Sequence, residues 1–210
     1  MSGTRATPSP YIRLAGELFL IYGAPVMVIK AVWGDVFFFH FKAFMAFFVA
    51  WAVGAALYGR LTGLSFEVMG FTSRALGRSL ALNAVLTILA AGAVVWLAAP
   101  RLLYNPHIPR SMWFPFFYVF LSCPAQEFLY RGLAFSLMER GGIRNGPALV
   151  VVSALLYALL HIFFTKPLIL PLTFLIGLGW GTVYLFIRNL WGPILSHALV
   201  GTLAILAGLA

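Results

Sequence analysis

The stretch Trp113–Met138, WFPFFYVFLSCPAQEFLYRGLAFSLM, decides how this chain is read. Its flanks are apolar and aromatic, yet its centre, Ser122–Gly132, carries a thiol, an amide, a carboxylate and a guanidinium. An ionisable group at membrane depth costs about 2.5–3.5 kcal/mol or more, so such groups mark a functional site by default. The spacing predicts a helix in which Cys123, Glu127 and Arg131 succeed one another at i, i+4 on one face. Gln126 then falls about 60° to the side of Cys123, and four polar or reactive side chains share one stripe.

Working outward, 62% of the 210 residues are hydrophobic and 9% are charged, against roughly 45–50% and about 25% in soluble domains. The chain therefore reads as an integral membrane protein of the all-α class, a polytopic helix bundle. Apolar runs of about 17–25 residues predict about seven transmembrane helices. They lie at Ile12–Trp33, Phe37–Tyr58, Leu80–Ala99, Trp113–Met138, Pro147–Phe164, Leu168–Ile187 and Pro193–Leu209. Residues 1–10 read as a flexible N-terminal tail and 11–210 as a single membrane domain, with the catalytic-type core in 113–209. Glu17 and Lys30 interrupt the first apolar run and no small-residue cleavage pattern follows it, so it is not read as a secretory signal. Gly23, Ala24 and Pro25 are expected to kink that helix, and Glu17 needs a partner or a place near the surface. Trp33, Trp51, Trp96, Trp113 and Trp191 fall near predicted helix ends, as an aromatic belt would.

Fourteen basic residues stand against five acidic ones, a net charge of +9. They are scattered over short loops, which suits membrane orientation rather than a nucleic-acid patch, and no nucleic-acid partner is expected. With seven spans, Arg5, Arg13, Arg60, Arg74, Arg78, Arg140, Arg144 and Arg188 share one side. Arg101, Arg110 and Lys166 fall on the other, with Lys30 and Lys42 if they snorkel that way. This bias predicts a cytoplasmic N-terminus and an external C-terminus. The single cysteine allows no intrachain disulfide. The loop Gly59–Ser79 reads either as a plain connection or as a short amphipathic turn, with Phe66, Met69 and Phe71 inward and Arg74 and Arg78 at the headgroups.

Two further intramembrane groups are His161, near the end of the fifth span, and His197, near the start of the seventh. His40 reads as interfacial and His107 as a loop histidine. Either intramembrane histidine alone could be a packing group. Beside a carboxylate and a guanidinium they can build a water-activating site, in which a carboxylate takes a proton, an imidazole orients or donates, and a cation fixes the carboxylate. At 1.5 Å per residue, Glu127 and His161 reach similar heights, ~18 and ~21 Å above the inner ends of their helices. His197 reaches only ~8 Å, unless the sixth span stops short or breaks at Gly177, Gly179 and Gly181.

These residues resemble the CAAX prenyl protease and bacteriocin-processing family of intramembrane proteases. That family is marked by EExxxR on one helix, FxxxH on the next and a later HxxxN or HxxxD. The chain offers Gln126-Glu127-Phe128-Leu129-Tyr130-Arg131, then Tyr157 to His161 as YxxxH, then His197 to Gly201 as HxxxG. ELFLIYGAPVM and GFTSRALGRSL are also similar to typical bacterial members. The resemblance implies an endopeptidase of a bacterial inner membrane that acts on a membrane-tethered or C-terminally tagged protein. It implies Glu127 as general base or its anchor, His161 as its partner and His197 as transition-state stabiliser. Arg131 would be the orienting cation and Gln126 a hydrogen-bond donor.

Two positions depart from the pattern. The family's first glutamate, credited with activating water, is Gln126 here, and an amide is no base. The family's final Asn or Asp, associated with oxyanion stabilisation, is Gly201. Three outcomes follow: Glu127 takes over as base, Cys123 serves as a nucleophile with a histidine base, or the chain binds and sequesters peptides or partner helices without cleaving them. Glu127, His161 and His197 could also form an open zinc site. HExxH spacing is lacking, so a site without a cofactor is the expectation.

Overall fold

The computed structural model describes residues 9–32, 41–98, 113–163 and 167–209. Most of the expected tail, His40, Trp33 and the loop of Arg101–Arg110 with His107 lie outside these. The described residues form seven continuous helices and no strand: α1 (Pro10–Val32), α2 (Phe41–Leu61), α3 (Leu76–Ala98), α4 (113–140), α5 (Gly146–Leu159), α6 (Ile169–Ile187) and α7 (Trp191–Leu206). Four of them, within α1, α2, α3 and α6, are long and apolar enough to cross a membrane. The protein is a helical membrane bundle.

Burial is distributed as lipid would require. The apolar window of α3 is only 11% buried against protein, and Ile88, Leu89 and Trp96 point outward. By contrast, every residue of α4 from Gln126 to Met138 is buried. Helices α1, α2, α5, α6 and α7 pack against this helix, whereas α3 packs against α6 and α7, and one connected core runs from Leu14 to Ala207. Leu133 and Met69 close on Gly59 of α2, Phe71 stacks on Phe128 at 5.8 Å, and Phe135 meets Tyr184 of α6 at 5.2 Å.

Three turns of these helices widen to π geometry: Phe19–Gly23 in α1, then Tyr118–Ser122 and Phe128–Leu133 in α4. The first two each end two residues before a proline, Pro25 and Pro124. Proline has no N–H to give the carbonyl four residues earlier. At Pro25 the deprived carbonyl is that of Ile21, and the Trp51 indole Nε1 donates to it at 2.7 Å. The turn leading into Pro25, where a kink is expected, is thus widened, and Trp51 is a buried mid-helix donor rather than a belt residue. In the third turn Tyr22 donates to the Leu129 carbonyl at 2.7 Å and Ser153 to the Tyr130 carbonyl at 2.5 Å. Hydroxyls of α1 and α5 thus supply bonds to the wide turn, as apolar surroundings demand.

Glu17 finds its partners at the arginine-bearing end of the bundle. It accepts from Arg13 at 2.9 Å, from Tyr58 at 2.6 Å and from Arg140 at 3.0 Å on both oxygens. One buried carboxylate therefore ties α1, α2 and α4 together. Arg188 pairs with Glu139 at the same end.

Two helices fall short of a full span. The 14 residues of α5 and 16 of α7 span only ~21 and ~24 Å at 1.5 Å per residue, less than the ~30 Å of a hydrocarbon core. The start of α7 is inside the protein. Arg188, in left-handed conformation, ends α6, and Asn189 and Leu190 are fully buried. The Asn189 amide donates to the carbonyls of Thr72 and Arg74 at 2.7 and 3.0 Å, and the Leu190 N–H to Gly70 at 3.0 Å. Segment 62–75 is thus a structural clamp over this turn, with Met69 buried, Phe71 partly so, and Phe66 turned outward against the expectation.

Candidate active site

Helix α4 presents Glu127 and Arg131 one turn apart, and the expected ion pair is present: Arg131 Nη1 lies 3.2 Å from Glu127 Oε1, with both side chains fully buried. A charged pair survives burial only with further partners. Arg131 has them in the Gly177 carbonyl at 3.4 Å and the ring faces of Tyr157 and Trp180, whose centroids lie 4.6 and 5.3 Å from its Cζ. Glycine at 177 lets α6 run close to α5, where a Cβ would meet Ala154 and Tyr157 at 3.2–3.3 Å.

The third member comes from α7. His197 Nδ1 lies 2.7 Å from Glu127 Oε1, and its ring stacks on Trp180 at 4.7 Å and 22°. A carboxylate can only accept, so Nδ1 carries the hydrogen and Nε2 faces the Tyr157 hydroxyl at 3.3 Å. Straight-helix arithmetic left His197 too shallow. The turn 188–190 reverses that result, because Leu190 sits against Gly132, well inside α4. From Gly132 to Glu127 is ~7.5 Å along α4 and from Leu190 to His197 ~10.5 Å along α7, so the two side chains meet.

His161 takes a different place. It lies in the turn after α5 ends, half-buried, with Nδ1 3.0 Å from the Tyr157 carbonyl and its ring 4.8 Å from that of Tyr157. A carbonyl also only accepts, so here too Nδ1 carries the hydrogen and Nε2 is the acceptor atom. No hydrogen bond joins His161 to Glu127; Tyr157 stands between the histidines and touches both. Sequence reasoning treated Tyr157 only as a motif position, although a tyrosine one turn before an intramembrane histidine is a usable signal.

The remaining candidates are close by. Gln126 is buried and donates from Nε2 to Ser122 Oγ at 2.8 Å, and its Oε1 has no partner among the described residues. Cys123 is free and fully buried, on the stripe that Glu127 and Arg131 continue. Glu127 Oε2 and Arg131 Nε likewise have no hydrogen-bond partner among the described residues. Among the described residues no three His, Cys, Asp or Glu side chains converge as a metal-binding group. Glu127 and His197 bond directly to each other, and the Nδ1 hydrogen of His161 goes to the Tyr157 carbonyl.

Residues 108–203 match the family model described as type II CAAX prenyl endopeptidase Rce1-like. That segment holds the described parts of α4, α5, α6 and most of α7, hence all six candidate residues. The family resemblance carried by the three motifs is therefore shown over these residues, and the family is one of proteases. No curated protein matches the chain, and no solved structure matches it.

Proposed function

We propose that this membrane protein, Rce1-like over residues 108–203, is an intramembrane endopeptidase that hydrolyses a peptide bond in a membrane-tethered or C-terminally tagged protein. The carrying observation is the asymmetric carboxylate of Glu127. Its Oε1 accepts from both Arg131 and His197, while its Oε2 has no hydrogen-bond partner among the described residues. Two donors hold one oxygen of the carboxylate in place, and the open oxygen is the atom that takes a proton from water. Gln126, unable to act as a base, is left the role of amide donor at the edge of the site. His161 lies against Tyr157, whose hydroxyl in turn faces His197. Cys123, with no imidazole hydrogen-bonded to it among the described residues, is read as part of the wall.

The reading is tested with purified protein in detergent and a panel of membrane-anchored peptides bearing C-terminal extensions, with products read by mass spectrometry. Cleavage is expected, with Glu127→Gln and His197→Ala each lowering the rate at least about 10²-fold. An inert wild-type protein, or full activity in both variants, overturns it. A second reading, a non-catalytic chain that binds peptides or partner helices, is favoured by Gln126. It prevails if Gln126→Glu creates cleavage in an otherwise inert protein.

A further inference from the structure

The position four residues after His197 on α7 is Gly201, and the space a side chain would take there is already filled. A Cβ built on Gly201 would collide with the hydroxyl oxygen of Tyr118, and would meet its Cζ at 2.9 Å and Cε1 at 3.3 Å. The phenol of α4 thus reaches across to the face of α7 that carries His197 one turn away. The two rings meet edge to face at 6.2 Å.

Helix geometry alone would not aim Tyr118 here. Nine residues separate it from Glu127, about 180° on a straight α-helix at 100° per residue. The π turn Tyr118–Ser122 intervenes, and one extra residue in a turn rotates what precedes it back by about 100°. Tyr118 is brought round toward the stripe of Cys123, Glu127 and Arg131. It is partly exposed, unlike Glu127.

We propose that Tyr118 is a catalytic hydrogen-bond donor, whose hydroxyl stabilises the oxyanion of the peptide undergoing hydrolysis and does from α4 what no side chain at position 201 can do from α7. The inference rests on the endopeptidase reading above. In the first step the water oxygen bonds to the peptide carbonyl carbon, the carbonyl π pair moves to its oxygen, and the water proton passes to Glu127 Oε2. Tyr118 keeps its proton and donates a hydrogen bond to that oxyanion. On collapse the pair returns, the C–N bond breaks, and the proton on Glu127 goes to the departing amine nitrogen. One water is consumed per bond.

The test compares wild type, Tyr118→Phe, Tyr118→Ala and the double variant Tyr118→Ala with Gly201→Asn. Cleavage kinetics are read together with binding of a peptide aldehyde, whose hydrate mimics the tetrahedral species. Tyr118→Phe keeps the ring, so its melting temperature should match wild type within a few degrees. Its kcat should fall about 10²–10³-fold with KM within about twofold, the usual cost of losing one oxyanion donor. Aldehyde affinity should fall while affinity for an uncleaved substrate analogue stays constant. Asn at 201, with the ring removed, should recover part of the rate lost in Tyr118→Ala. A cleaving wild type with an equally active Tyr118→Phe overturns the role of Tyr118 alone. A wild type that neither cleaves nor binds the aldehyde overturns the endopeptidase reading, and this inference with it.

Discussion

His197 Nδ1 lies 2.7 Å from Glu127 Oε1, across seventy residues of chain. The contact exists because α7 begins at a buried turn rather than at the membrane surface. Asn189 fixes that turn to segment 62–75 through the carbonyls of Thr72 and Arg74 and caps the Trp191 N–H at 3.0 Å.

Asn189→Ala is expected to act on the site from a distance. Two carbonyls and one N–H lose a buried partner at about 1–3 kcal/mol each. The melting temperature should fall, and cleavage with it, although Asn189 touches none of the six candidate residues. Thermal melting in detergent alongside the peptide assay checks both.

The Glu127–Arg131 pair should be strongly non-additive. Removing one partner of a buried ion pair costs about 3–5 kcal/mol because the other charge is left unmatched. Arg131→Met alone should therefore be less stable than Arg131→Met combined with Glu127→Gln, and both should be inactive. Equal stability of the two would show the pair to be solvated.

Trp51→Phe should cost about 1–2 kcal/mol, since the Ile21 carbonyl loses its donor. Pro25→Ala restores a backbone N–H four residues after Ile21. In that background Trp51→Phe should cost measurably less. A double-mutant cycle of melting midpoints decides it.

Gly132→Ala should be among the most damaging single-methyl changes in the chain. The added Cβ would run into the Met69 carbonyl oxygen and close on Leu190 Cδ1 at 3.3 Å. Backbone cannot swing aside as a side chain does, so about 1–3 kcal/mol or more is expected. At Gly16, where a Cβ meets nothing within 4 Å, the same substitution should be tolerated.

Much of the bundle was legible in the residues. A run of apolar segments of spanning length implies helices in lipid, because only helices satisfy their own backbone there. The i, i+4 spacing of Glu127 and Arg131 implied their pairing, since four residues return a helix to nearly the same face. The three motifs, from Gln126 to Gly201, all fall inside the family match at residues 108–203. Less was legible where a helix departs from 3.6 residues per turn. Pro25 and Pro124 announce irregularity, but not that the preceding turn widens, nor that Trp51 supplies the missing donor.

The sequence by itself determined the membrane class, the central polar stripe and the chemical types available to it, because hydrophobicity and helical periodicity are local properties. Only the tertiary structure decided which histidine meets Glu127 and what fills the space beside Gly201. Depth along a helix depends on where neighbouring chain ends it. The start of α7 is set by Asn189 bonding to carbonyls more than a hundred residues away. The aim of Tyr118 is set by a widened turn in α4, and its consequence appears only on α7, where the phenol takes the place of a side chain that glycine lacks.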